Sequence, residues 1–166
     1  EATRKKVEDY AHEHNYRPNL FAQSLQKKKT RCIGIVIPTL SNTFYSQVLD
    51  GIESVTSNND YFSIVTQTHE SYQREIENVE NLAWRCVDGL LVSISAETQD
   101  LSHFKRLQDQ GIPVVFFDRI GTSIKTHKVS VDNSGGAFKC VDFLLRKGYK
   151  RIAHITSPEH LSITKE

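Results

Sequence analysis

The feature that most constrains this chain is the run Cys32-Ile33-Gly34-Ile35-Val36-Ile37-Pro38. A strand with one wet face alternates apolar and polar residues, whereas a continuous apolar run suits a strand covered on both faces. Such a strand requires parallel neighbours, and parallel neighbours require crossover helices. The sequence after it supplies both. The pattern predicts a helix over 43–58, with Phe44, Val48, Ile52 and Val55 on one side, and a strand over 61–66. A helix from Ser71 or Tyr72 to Arg85 turns Ile76, Val79, Leu82 and Ala83 inward. Strands follow at 87–94 and 112–117, separated by a helix over 101–110 that Gly111 stops. Pro113 falls near a strand start, where its missing N–H is tolerated. A fifth strand is expected at 127–131, a helix at 133–146 ended by Gly148, and a sixth strand at 151–156. The reading is an α/β fold: a parallel sheet with helices on both faces.

In such sheets ligands bind beyond the carboxyl ends of the strands. That rule selects residues 39–45, 93–95, 118–119, 132–133 and Ser157. These stretches hold hydroxyls, amides, charges and the rings of Phe44 and Tyr45, a composition suited to a sugar-like polyol. Each also has a plainer reading. Ser41 or Asn42 could simply cap the helix that follows, and so could Asp132 or Asn133. Asp118 and Arg119 could form a surface ion pair. Adjacent helical positions cannot both face the core, so one of Phe44 and Tyr45 should line a cleft.

Ahead of the sheet region the chain changes character. Residues 3–15 read as a helix that Thr3 can cap, with Val7, Tyr10, Ala11 and His14 along one side. Pro18 biases Arg17 away from helix, and Asn19 then suits the N-cap of a second helix about two turns long. So short a helix is marginal in water without a partner. Residues 1–31 carry eight Lys/Arg against four Asp/Glu, although the whole chain is only +1. A basic arm on a mildly acidic body suits an arm that meets a polyanion; a solvated linker is the alternative.

The 166 residues are 38% hydrophobic and 25% charged, which bounds the chain to a soluble globular class. No apolar run is long enough to cross a membrane, and the first residues do not resemble a signal peptide. The absence of methionine, position 1 included, suggests a piece of a longer protein. Cys32, Cys86 and Cys140 are expected as buried, reduced thiols of a cytoplasmic protein rather than a disulfide or metal site. The turn after the first strand lacks G-x-G-x-x-G, and the seven histidines show no triad or metal spacing. Neither a dinucleotide enzyme nor a metal centre is expected, and no catalytic residue or cofactor is assigned.

Several motifs together carry a family resemblance. They are Tyr16-Arg17-Pro18-Asn19 with Ala22 and Leu25, Ile33-Gly34-Ile35-Val36-Ile37-Pro38, Ser41-Asn42 with Phe44, and Val87-Asp88-Gly89. Gly111-Ile112-Pro113-Val114, Phe117-Asp118-Arg119, Val131-Asp132-Asn133 and Gly148-Tyr149 with Arg151-Ile152-Ala153 continue the series. In that order they resemble a LacI-type transcriptional repressor over essentially the whole chain.

The resemblance implies a core like that of periplasmic sugar-binding proteins, in which two subdomains close on an effector. Residues 1–17 would be the last helix of a helix-turn-helix headpiece, 18–30 a hinge helix and linker, 31–131 the first subdomain and 132–166 the start of the second. It implies effector contacts from Phe44, Tyr45, Ser93, Asp118 and Arg119. It implies DNA contacts from Tyr16, Asn19, Ala22, Gln23, Leu25 and Lys28, with Leu25 as a wedge that unstacks a base step in the minor groove. Gln23 departs from the arginine found in many members, which would alter a base contact there. Implied partners are operator DNA, a sugar-like effector and further copies in a homodimer or larger homo-oligomer. An exported sugar-binding protein is the alternative; it shares the core but would have an export signal and no hinge.

Overall fold

The computed structural model describes residues 1–16, 24 and 29–165. The hinge positions Asn19, Ala22, Gln23, Leu25 and Lys28 lie outside the described residues. A first helix, α1 (Ala2–Glu13), precedes the sheet. Then come β1 (Cys32–Ile37), α2 (Thr43–Asn58), β2 (Phe62–Gln67), α3 (Tyr72–Trp84), β3 (Gly89–Val92) and α4 (Ser102–Asp109). The chain continues through β4 (Val114–Phe117), β5 (His127–Val129), α5 (Asn133–Arg146) and a single turn, α6 (Ser162–Lys165).

Among the described residues the five strands form one sheet in the order β2-β1-β3-β4-β5, and every pairing is parallel. Ile35 pairs with Val65 on one side and with Leu91 on the other, so β1 is central. Chain order leaves β1 first toward β2 and then returns to β3 on its opposite flank. The reversal creates a crevice between the carboxyl ends of β1 and β3, the position where open α/β sheets bind ligands.

Both faces of β1, β3 and β4 are covered, as the apolar run requires, whereas β5 is exposed along its length. On one face Val36, Leu90, Val92 and Phe116 pack under Val79 and Leu82 of α3 and Phe104 and Leu107 of α4. Phe104 meets Phe116 edge to face at 5.2 Å. On the other face Ile35, Ile37 and Phe117 pack with Tyr45, Val48, Leu49 and Ile52 of α2. Gly34 is required by this packing, because a Cβ there would stand 2.5 Å from Leu90 Cδ2 and 3.0 Å from Leu82 Cδ1.

Helix starts follow local chemistry. The side chains of Asn42, Ser71 and Asp132 accept the backbone N–H of Phe44, Arg74 and Gly135, which caps α2, α3 and α5. α1 differs, since its N-cap is Glu1 and no side chain bonds there; Thr3 does not cap it. Its expected stripe is also unpacked: Val7 and Tyr10 are exposed and no residue of α1 is buried.

Three further expectations need correction. The stripe on α2 is displaced: Tyr45, Val48, Leu49 and Ile52 turn inward, while Phe44 and Val55 are exposed. Residues 151–158 form no strand, and Ile155 is 97% exposed. A strand is defined by its neighbour, and no described strand lies beside this segment to pair with it. Of the cysteines only Cys32 is partly buried; Cys86 and Cys140 are exposed free thiols, because they sit at the end of α3 and on the open surface of α5.

Candidate ligand-binding site

The crevice at the carboxyl ends of β1, β3 and β4 gathers most of the polar residues singled out in the sequence. Tyr45, in the first turn of α2, is 3% exposed, and its ring belongs to the core. Its hydroxyl donates to Asp118 Oδ2 at 2.9 Å and lies 3.1 Å from Ser93 Oγ. Ser93 continues β3 and is fully buried; its hydroxyl reaches the same carboxylate oxygen at 3.5 Å. Asp118 Oδ1 has no hydrogen-bond partner among the described residues. Burial pushes the Tyr45 phenol up to about 12, with a bond to Ser93 opposing and the Asp118 charge adding. The hydroxyl therefore stays protonated and donates.

Asp118 adopts φ of +58°, a left-handed conformation that costs about 1 kcal/mol outside glycine and is most accessible to Asp and Asn. Its N–H donates to Val129 O at 3.0 Å, which ties the turn to β5. Phe44 is the outward member of the aromatic pair, 43% exposed and edge to face with Tyr45 at 5.2 Å. An open ring beside fixed oxygens can stack on the apolar face of a sugar while those oxygens take its hydroxyls.

Arg119 does not pair with Asp118, so the surface ion-pair reading is excluded. Its Nη1 straddles both oxygens of Glu70, at 2.9 and 2.7 Å. Glu70 Oε2 also accepts the Ala96 N–H at 2.7 Å. Burial lowers the proton affinity of Arg119, but the Glu70 bond and the charges of Glu70 and Asp118 outweigh it, and the net shift is upward. The sequence reading missed Glu70, although it lies just beyond the carboxyl end of β2, where the same strand-end rule points.

Behind the crevice a second missed cluster holds the loop after β3. Glu75 of α3 is fully buried and accepts from Ser95 N–H at 2.7 Å and Thr98 Oγ1 at 2.9 Å. His103 Nε2 of α4 stands 3.0 Å from Glu75 Oε1, with both side chains buried. Ser95 and Ala96 therefore give successive amides to Glu75 and Glu70. Asp132 caps α5, as the plainer reading allowed, and Asn42 caps α2 while Ser41 Oγ bonds Thr39 Oγ1. Tyr16 is exposed at the end of α1, far from this cluster in the chain.

A concavity of about 540 Å³ lies at the opposite end of the sheet, lined by Thr30, Cys86, Asp88 and Gly111 among others. Two of its polar lining residues, Thr30 and Asp88, are bonded to each other. Asp88 there clamps the entry to β1, taking the N–H of Thr30 at 2.8 Å and of Arg31 at 3.0 Å. The converging polar groups, rather than that volume, mark the site. Among the described residues no helix is long and apolar enough to cross a membrane, and no group of His, Cys, Asp and Glu is placed to hold a metal ion.

Comparison with known proteins agrees with this fold. Residues 33–155 match the family model of the periplasmic binding protein domain. Catabolite control protein A of Priestia megaterium is 31% identical over 155 residues, which cover 93% of this chain and 46% of that protein. The HTH-type transcriptional regulator RegA of Clostridium saccharobutylicum is 34% identical over 156 residues, again 93% of this chain and 46% of the relative. The chain thus spans just under half the length of these curated relatives, which are named as control proteins and regulators rather than as enzymes. A periplasmic binding protein/LacI transcriptional regulator from Alkaliphilus metalliredigens QYMF, solved with D-xylulofuranose, superposes with a TM-score of 0.71 at 29% identity. That match covers 81% of this chain and 48% of the solved one. The sheet, the crevice and these relatives lead to one assignment: the chain belongs to the periplasmic-binding-protein domain family, in its LacI-type regulator branch.

Proposed function

We propose that the chain is part of a cytoplasmic, repressor-type, DNA-binding transcriptional regulator whose operator affinity is switched by a sugar-like effector. The observation that carries this reading is the convergence of the Tyr45 and Ser93 hydroxyls on one carboxylate oxygen of Asp118 at the topological crevice, beside the open ring of Phe44. The sugar bound by the Alkaliphilus relative supports the ligand class. Arg119, next to Asp118 in the chain and close enough to Tyr45 to act on its phenol, and its partner Glu70 stand beside this cluster.

Residues 31–131 would be the first lobe of the sensor and 132–166 the beginning of the second. α5 supports the division. It has no buried residue, and Phe138, Phe143 and Leu145 are 73%, 58% and 55% exposed, the surface of a helix that expects another layer. Ahead of the core, the basic arm would hold the operator: Tyr16, Asn19, Gln23 and Lys28 on phosphates and base edges, Ala22 in close approach, Leu25 as the wedge. The regulator would act as a homodimer or larger homo-oligomer, so that two hinges meet on one operator.

The test is a thermal-shift screen of sugars on the full-length regulator, followed by calorimetry of the best ligand on wild type and Asp118→Asn. Asparagine tolerates the left-handed φ but removes the charge, so the fold should persist. A hydrogen bond to a charged group contributes about 1.5–3 kcal/mol, so affinity should fall about tenfold or more. An unchanged isotherm would remove Asp118 from the site. A screen in which no sugar raises the melting temperature would overturn the effector class.

A further inference from the structure

The pairing of Arg119 bears on the charge of the ligand, a question that rests on the sugar-sensor reading above. Arg119 Nη1 and the Ala96 N–H point at one position, and two donors of that kind make an anion site. The chain fills it from within, with both oxygens of Glu70. We propose that Glu70 is a specificity-determining residue: by occupying the anion position beside Arg119 it reserves the crevice for uncharged polyhydroxyl ligands and turns away their phosphate esters.

The charges that face this position decide the sign. Arg119 contributes one positive charge; Glu70 and Asp118 contribute two negative ones. His160, from the segment after α5, spends its Nε2 on the Ala96 carbonyl, which belongs to the next peptide group. A phosphate entering here would meet the open Asp118 carboxylate and would have to expel Glu70. An uncharged sugar meets neither obstacle, since Asp118 Oδ1 can accept one of its hydroxyls.

The backbone shows that Glu70 is held in place rather than resting on the surface. His69 and Glu70 both adopt left-handed φ, +51° and +65°. Consecutive non-glycine residues in that region persist only where surrounding contacts over-determine them, and such strain gathers at binding sites. Here the contacts are the Arg119 pair, the Ala96 bond and the His69 N–H to Pro38 O at 2.8 Å. Yet the Glu70 side chain is 39% exposed and stands outside the apolar core, so the packing of that core does not rest on its carboxylate. Excluding a competitor by leaving it with an unfavourable charge is a common route to specificity.

Two variants separate charge from shape. Glu70→Gln keeps the length of the side chain and removes the charge. Glu70→Gly suits the +65° φ and empties the position. In the full-length regulator at constant ionic strength, inorganic phosphate should raise the melting temperature of Glu70→Gly but not of wild type. It should have no effect on the double variant Glu70→Gly/Arg119→Gln. Calorimetry with D-glucose and D-ribose and their terminal phosphate esters should show wild type favouring the uncharged sugar by at least about tenfold, a preference that shrinks or inverts in Glu70→Gln. The proposal is overturned if phosphate leaves Glu70→Gly unaffected, if wild type prefers an ester, or if the ratio is the same in Glu70→Gln. If no sugar of either kind binds wild type, the sugar reading fails, and the phosphate arm alone still decides what Glu70 does.

Discussion

Tyr45 belongs at once to the core and to the crevice. Its ring is held by Ile35, Ile37 and Phe117, and its hydroxyl binds Ser93 and Asp118, which lie 48 and 73 positions away in the chain. Sequence could say that one of Phe44 and Tyr45 must turn inward, because neighbouring helical positions point apart. It could not say which. Tyrosine is usually the wetter choice, and only distant partners for its hydroxyl make it the buried one. The raised phenol has a consequence for stability. Below pH 10 both folded and unfolded chains keep the proton. Between pH 10 and about 12 the unfolded chain loses it while the folded chain holds it, so stability falls as pH rises through that window. A shift of that size corresponds to about 2–3 kcal/mol by linkage. Urea denaturation of wild type and Tyr45→Phe across that range should show the wild type losing this increment and the variant lacking it. At neutral pH the variant should be about 1 kcal/mol less stable, the usual worth of a buried hydrogen bond.

At the scale of elements, the helices α2 and α5 were legible to the residue. Ser41 or Asn42, and Asp132 or Asn133, offered caps at their starts, and the structure uses Asn42 and Asp132. The parallel sheet was legible because a continuous apolar run has few other solutions. The strand expected at 151–156 was not, since periodicity reports the capacity for a strand and pairing needs a neighbour. The cluster of Glu75, His103, Ser95 and Thr98 was also invisible. A glutamate one position before an apolar stripe reads as solvated surface, and its partners come from a different helix and loop. This cluster fastens α3, α4 and the loop after β3 together. Glu75→Ala would leave the Ser95 N–H and His103 Nε2 buried without their partner, while the Thr98 hydroxyl would keep only the Ser95 hydroxyl. The expected cost is about 3 kcal/mol or more, at 1–3 kcal/mol for each buried group left unpaired. A comparable loss should not follow Glu80→Ala on the exposed side of the same helix, where the ion pair to Arg106 faces solvent. Equal denaturation midpoints for the two variants would contradict a structural role for Glu75.

At the scale of the molecule, the basic N-terminal arm joins the sheet at Asp88, which holds the Thr30 and Arg31 amides at the entrance to β1. The proposed effector site lies at the other end of the same sheet. On this reading the arm is ordered by DNA and the lobes decide whether two arms can meet. Leu25→Ala in the full-length regulator should therefore weaken operator binding far more than binding to unrelated DNA, because the wedge acts only where a step is pried open. Equal losses on both DNAs, measured by anisotropy, would remove the wedge.

Linkage offers the most direct test of a sugar-switched repressor. Operator affinity of the full-length protein is measured by fluorescence anisotropy with and without a saturating sugar from the screen. Sugar affinity is then measured with and without operator. Binding at the two sites should change by the same factor, about 5–150-fold, and in Asp118→Asn the effect should need a sugar concentration about tenfold higher or more. An operator affinity indifferent to a sugar that demonstrably binds would contradict the account.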